Sequence, residues 1–243
     1  MKPATGHLVA LPDAPQVTRS AAERLATALR DRLGRPGPAT LALSGGNTPR
    51  DAYVDLARAP GIDWSRVEVF WVDERAVAPT DDRSNYRWAK STLIDGAKIP
   101  LASVHRMPAD EPDLHAAAQA YEATLRSRVG AGPSGFPEFD AVVMGIGDDG
   151  HTASLFPGEA TVDLEDRWVA AVPASGPREA RLTITRPVIQ HARQTFVLAV
   201  GKGKHDALGR AWAASGDLRA TPSRLLLQCR GEVTWICDDS AVS

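Results

Sequence analysis

The chain has 243 residues, 43% of them hydrophobic and 24% charged, enough for one large α/β domain or at most two small ones. A formal charge of −2, with no block of like charges, gives no long-range field to draw a nucleic-acid backbone, so nucleic acid is not expected as a partner. No run reaches the ~18 apolar residues of a membrane span, and the apolar patch before Pro12 is too brief for a signal peptide, so a cytoplasmic protein with no membrane partner is expected.

In chain order, His7–Leu11 reads as a first strand and Ala21–Leu33 as an amphipathic helix. The strand Thr40–Leu43 precedes a helix over Pro49–Ala59, and the strand Val67–Val72 precedes one over Asn85–Ile94. A helix over Leu114–Val129 leads to the strand Asp140–Met144. Two further strands, Trp168–Val172 and Thr195–Val200, come before a helix over Lys204–Ala214 and a last strand, Val233–Cys237. The central runs are apolar on both faces, which suits parallel strands covered by helices on each side and gives a doubly wound, mainly parallel open sheet. Gly130–Pro137 and Pro173–Pro177 read as surface connections, there is no internal repeat, and residues 1–243 are expected to form a single domain. Cys229 and Cys237 have neither metal-site nor disulfide-framework spacing and read as packing residues.

In an open parallel sheet, ligands bind beyond the carboxyl ends of the strands. Four such ends are unusual in this chain: Ser44-Gly45-Gly46-Asn47-Thr48-Pro49, Asp73-Glu74-Arg75, the stretch from Gly145 to His151, and Gly201-Lys202-Gly203-Lys204. The first joins a strand to a helix with Pro49 in its first turn, and supports two readings. In one, the backbone N–H groups of Gly45, Gly46 and Asn47, with the Ser44 hydroxyl, form a phosphate cradle; in the other, Asn47 or Thr48 caps an ordinary tight turn. Lys202 and Lys204 offer a cation at a second strand end, or are solvated helix-start residues; Lys204 is followed by His205, so this is not a Walker A loop. The charges of Asp73-Glu74-Arg75 close a very apolar strand and suit either a cleft for a polar, anionic substrate or a surface ion pair.

Gly145-x-Gly147-x-x-Gly150 matches the dinucleotide fingerprint in form. Asp148 and Asp149 would then sit inside a loop that must cradle a pyrophosphate, and the following Thr-Ala-Ser-Leu-Phe-Pro-Gly leaves too short a helix, so a nucleotide cofactor is not expected. His151 reads instead as a general base oriented by Asp149 or Asp148, since an imidazole near its unperturbed pKa of about 6.5 can take a proton from water at neutral pH. His7, His105, His115, His191 and His205 have no such company.

Together the Ser44–Pro49 loop, Val72-Asp73-Glu74-Arg75 with Ser84-Asn85-Tyr86, and the segment Gly145-Ile146-Gly147-Asp148-Asp149-Gly150-His151-Thr152-Ala153-Ser154-Leu155-Phe156-Pro157-Gly158 resemble the 6-phosphogluconolactonases. The similarity continues through Arg181–Thr185 and Gly201–Lys204, nearly the whole chain. The resemblance implies a Rossmann-like α/β fold shared with the glucosamine-6-phosphate deaminases. It also implies hydrolysis of 6-phospho-D-glucono-1,5-lactone to 6-phosphogluconate in the oxidative pentose phosphate pathway. The deaminases share three of these features, but their pattern has a proton-transferring glutamate just before the proline of the histidine turn, where this chain has Phe156. Carried over by the resemblance, His151, Asp149, Asp73 and Arg75 are the expected catalytic residues. Ser44, Gly45, Gly46, Asn47, Arg181 and Lys204 are expected to bind substrate and phosphate. The expected partner is a small-molecule sugar phosphate lactone, with no metal and no cofactor, on a monomer or weak homo-oligomer. The alternatives are a glucosamine-6-phosphate deaminase, a non-catalytic sugar-phosphate-binding domain and an NAD-dependent oxidoreductase.

Overall fold

The computed structural model describes all 243 residues, Met1 to Ser243. The chain runs from β1 (His7–Leu11) through α1 (Ala14–Leu33), β2 (Ala39–Leu43) and α2 (Asn47–Ala57) to β3 (Val67–Trp71). Then come β4 (Asp73–Arg75) and α3 (Asn85–Ala89), which continues through a π turn over Lys90–Ile94 into the short α4 (Asp95–Ala97). Next are α5 (Leu114–Arg128), β5 (Ala141–Gly145), β6 (Val169–Val172), β7 (Arg181–Ile184) and α6 (Arg186–Gln190). The chain closes with β8 (Gln194–Ala199), α7 (His205–Trp212), β9 (Glu232–Asp238) and α8 (Asp239–Val242).

Six strands pair in parallel in the order β1-β9-β8-β5-β2-β3. Every residue of β2 and the first four of β5 are buried, so both faces of the sheet centre are covered, as their unbroken apolar runs require. Helix α1 packs along β9 and β8 and against α2, burying Val17, Ala21, Leu25 and Leu29 at a spacing of four. It starts at Ala14 rather than Ala21, because Asp13 accepts from the Gln16 N–H at 2.9 Å and Pro15 sits in the first turn.

Beside the expected, mainly parallel sheet stands a second, smaller one. β4, β7 and β6 form an antiparallel sheet in the order β4-β7-β6, so Asp73–Arg75 is a strand in its own right and Trp168–Val172 contributes to this smaller sheet. Val72 is the junction: its N–H donates to the Leu43 carbonyl at 2.9 Å in the large sheet, and its carbonyl accepts from the Ile184 N–H at 2.8 Å. The chain therefore passes from one sheet to the other without a loop.

At the opposite end of the large sheet, the buried Asp140 ties three elements together. Its Oδ2 accepts from the Thr40 N–H (2.9 Å) and hydroxyl (3.0 Å), and its Oδ1 accepts from Arg32 Nε (3.1 Å) on α1. Replacing Asp140 with alanine leaves the Thr40 amide without a partner and is expected to lower unfolding stability by about 3 kcal/mol. Urea denaturation of the purified variant measures it.

Candidate active site

From β2 the chain steps one way to β3, whereas β5 lies on the other side of β2, so the strand order reverses between β2 and β5. Beyond the carboxyl ends of these strands lies a cleft of about 210 Å³. The β2 end supplies Ser44, Gly45 and Gly46; β4 supplies Asp73 and Arg75; the turn after β5 supplies Gly145, Ile146, Gly147, His151 and Ala153. Asn85, Arg181 and Lys204 complete the lining. All four unusual strand ends thus meet at one edge of the sheet. Asn47 is exposed and outside the lining, as the first residue of α2, and Asp149 stands behind His151.

The β5 turn is built around its histidine. Gly147 N–H donates to the His151 carbonyl (2.9 Å), and Gly150, at φ +94°, closes the turn by donating to the Gly147 carbonyl (2.9 Å). A Cβ on Gly147 would lie 2.0 Å from His151 Nδ1, so this glycine makes room for the imidazole. Asp149 Oδ1 accepts from the His151 N–H at 3.0 Å and lies 2.6 Å from His151 Nδ1. The hydrogen bond to His151 holds the Asp149 carboxyl down at about 2, against the opposing effect of its partial burial. An ionised Asp149 requires a proton on Nδ1, which leaves Nε2 as the basic nitrogen. Asp148, the other carboxylate of the turn, is committed elsewhere: it pairs with Lys204 Nζ at 2.7 Å. Phe156 packs against the imidazole with ring centroids 4.6 Å apart, and the guanidinium groups of Arg178 (3.9 Å) and Arg181 (5.4 Å) lie over its ring.

Strand alternation divides the Asp-Glu-Arg run. Asp73 and Arg75 line the cleft, while Glu74 between them points toward α3. Its carboxylate accepts from the backbone N–H groups of Arg75 (2.8 Å), Asn85 (2.8 Å) and Tyr86 (2.7 Å) and from the Ser84 hydroxyl (3.0 Å). Burial pushes the Glu74 carboxyl above the ordinary range, and these four bonds oppose that rise. Asp73 is also buried; Asn85 Nδ2 donates to its carbonyl (2.9 Å) and to Oδ1 (3.2 Å). The Ser154 hydroxyl donates to Asp73 Oδ2 (2.6 Å), and Arg181 stands 3.6 Å from the same oxygen. Burial lowers the Arg181 pKa and the Asp73 charge raises it. Arg75 donates to the Arg83 carbonyl and keeps a buried Nε without a partner.

At the β2 end, the Tyr53 hydroxyl accepts from the Ser44 N–H (3.1 Å) and donates to the Ser44 carbonyl (2.9 Å), fixing the backbone there. The Ser44 hydroxyl is buried without a partner. Gly46, at φ +105°, precedes α2, and no side chain caps that helix: neither Asn47 nor Thr48 does so. Pro49 is the third residue of α2, within the expected first turn. The loop is held against α3, since a Cβ on Gly45 would fall 1.8 Å from Asn85 Oδ1. Asn85 and Ser154 are therefore parts of the site that local pattern does not reveal. The Ser84-Asn85-Tyr86 triplet marks the position of Asn85, but its role depends on contacts with Asp73 and Gly45. No group of three or more His, Cys, Asp or Glu side chains is placed to hold a metal ion.

Two outcomes follow from this geometry. Gly45→Ala must displace Asn85, and is expected to destabilise the fold by about 1–3 kcal/mol in denaturant titration. The Asp149 carboxyl, ordinarily near 3.8 and held at about 2 in the folded chain, is ionised in both states above pH 5. Its stabilising contribution is therefore full there and is lost as pH falls from about 4 to about 2. Carboxyl-carbon NMR titration should place it near 2, and an ordinary value would contradict the pairing.

Residues 12–235 match the model of the family described as glucosamine-6-phosphate isomerases/6-phosphogluconolactonase. A 6-phosphogluconolactonase of Synechocystis is 39% identical over 215 residues, covering 88% of each chain. The solved 6-phosphogluconolactonase of Trypanosoma brucei superposes with a TM-score of 0.87 at 26% identity, over 98% of this chain and 97% of that one. A monomeric glucosamine-6-phosphate deaminase superposes with a TM-score of 0.82 at 19% identity, over 97% of this chain and 98% of that one, a likeness of fold alone. The chain belongs to the glucosamine-6-phosphate isomerase/6-phosphogluconolactonase family.

Proposed function

We propose that this chain, as a single domain over residues 1–243, hydrolyses 6-phospho-D-glucono-1,5-lactone to 6-phosphogluconate, serving the oxidative pentose phosphate pathway in the cytoplasm. The observation that carries the reading is the His151–Asp149 pair, 2.6 Å apart, facing a cleft whose lining holds three cations, Arg75, Arg181 and Lys204, and one carboxylate, Asp73. A base beside a cationic cleft suits an anionic, already activated ester.

In this mechanism, His151 Nε2 takes a proton from water as the water oxygen attacks the lactone C1. Asp149 holds the imidazole in the required tautomer and stabilises the imidazolium that forms. Arg75 stands as a cation for the negative charge that develops on the carbonyl oxygen. Collapse of the tetrahedral intermediate breaks the bond from C1 to the ring oxygen, and His151 returns its proton to that oxygen, leaving the open-chain acid. Asp73 accepts from substrate hydroxyls. The phosphate lies against Ser44, Gly45, Gly46 and the backbone of Asn47, where the unpartnered Ser44 hydroxyl and the uncapped start of α2 offer donors. Arg181 supports it with charge, as does Lys204, whose ammonium has donors enough to keep Asp148 and meet a phosphate oxygen. Phe156 stands against the deaminase reading, because an aromatic ring packed on the imidazole cannot move a proton.

Replacing His151 with alanine is expected to cut turnover by about 10² or more, the usual scale for a lost general base. Rates on freshly prepared lactone, corrected for spontaneous hydrolysis, measure it. Offered both this lactone and glucosamine 6-phosphate, the purified chain should release acid from the first and no ammonia from the second; ammonia release would overturn the assignment.

A further inference from the structure

We propose that Ser154 is a positioning residue for this reaction, a buried latch that fixes the spacing between Asp73 and the turn carrying His151. The inference rests on the proposed lactonase reading for its kinetic consequence, but not for its geometry. The Ser154 side chain is fully buried, and its hydroxyl donates to Asp73 Oδ2 at 2.6 Å across 81 positions of sequence. A bond this short to a carboxylate has the geometry of a charge-assisted hydrogen bond. The Ser154 N–H donates to Thr183 Oγ1 at 3.2 Å, and Thr183 lies opposite Asp73 in the register of β4 and β7. Ser154 is thus bonded to two neighbouring strands of the small sheet, while His151, three residues earlier, stands on the turn that leaves the large one.

The backbone between them is strained in a way that fits a latch. Ala153, which lines the cleft, sits at φ +48°, in the left-handed region that a side chain disfavours. Such a conformation persists only when its surroundings over-determine it. Here it reverses the chain so that His151 stays on the cleft while Ser154 turns inward to Asp73. The Asp73 carboxylate is held on its other oxygen by Asn85 at 3.2 Å, so Ser154 is the bond that comes from the histidine's own turn. Substrate lying between His151 and Asp73 would meet two groups that this contact ties together directly. Misplacement of such groups is felt in turnover more than in binding.

A double-mutant cycle tests the latch. Ser154→Ala is expected to lower kcat on the lactone about tenfold, the scale of one lost hydrogen bond to a charged group, with KM changed less than twofold. In an Asp73→Ala background the same substitution should change kcat less than twofold, because the latch has already lost its acceptor. Amide hydrogen exchange supplies a readout that needs no substrate: exchange across residues 151–155 should quicken in both single variants, and no further in the double. Undiminished kcat in Ser154→Ala, a tenfold loss that persists in the Asp73→Ala background, or additive exchange effects would each overturn the latch. Should the wild-type chain leave the lactone untouched, the proposed function falls, and exchange alone decides the latch. If Ser154→Ala fails to fold, Ser154→Cys, close in size and a weak donor, takes its place.

Discussion

The site depends on what the backbone does at Val72. A residue at the end of a parallel strand ordinarily leads into a loop, whose conformation side chains must then stabilise. Val72 instead donates to one sheet and accepts from the other, so both of its peptide groups are paired across the one-residue bend between β3 and β4. Asp73 consequently begins a strand, with Thr183 opposite it, and is fixed as firmly as a core residue. Two elements of the cleft are tied to this carboxylate and its backbone: the bonds from Asn85 come from α3, and that from Ser154 comes from the turn after β5. Without the junction these contacts would have no common anchor.

How much of this is legible in the sequence follows from the range of the forces involved. Strands β2, β3 and β5 are buried on both faces, and their apolar runs announce them; the four strand ends that meet at the cleft could be named because parallel topology puts such ends on one edge. The small sheet is legible only in its strand β6, since Asp73–Arg75 is three charged residues and Arg181–Ile184 is a short run whose burial comes from packing distant in sequence. The same holds for Asn85 and Ser154. Each is an ordinary polar residue by local pattern, and only the approach of Gly45 or Asp73 gives it a role. Gly147 shows the distinction within one motif. Glycine there suggests a loosened turn, whereas the structure uses it for the close approach of the imidazole, which no count of glycines discloses.

Electrostatics in the cleft rest on commitments made outside it. Asp148 is adjacent to Asp149 in sequence, and by charge alone either could orient the histidine. The choice is made by Lys204, which binds Asp148 at 2.7 Å and draws it to the β8 end. That loop is itself held from below, because Gly201 N–H donates to the buried Asp238 at the end of β9 at 2.9 Å. The cation therefore does two things at once: it engages one carboxylate that would otherwise compete for the imidazole, and it adds positive charge to the lining.

Two adjacent acidic pairs, Asp73-Glu74 and Asp148-Asp149, thus illustrate one rule by different means. In β4 the division comes from the strand's period of two, which aims Asp73 and Arg75 at the cleft and leaves Glu74 to hold the start of α3 through two backbone amides and a hydroxyl. In the β5 turn no such period exists, and partners decide: His151 holds one carboxylate and Lys204 the other. In both pairs the acid nearer the chemistry is the one whose neighbour has been engaged elsewhere. A cleft for an anionic substrate requires this, because a second free carboxylate on either side would cancel the charge that draws the substrate in.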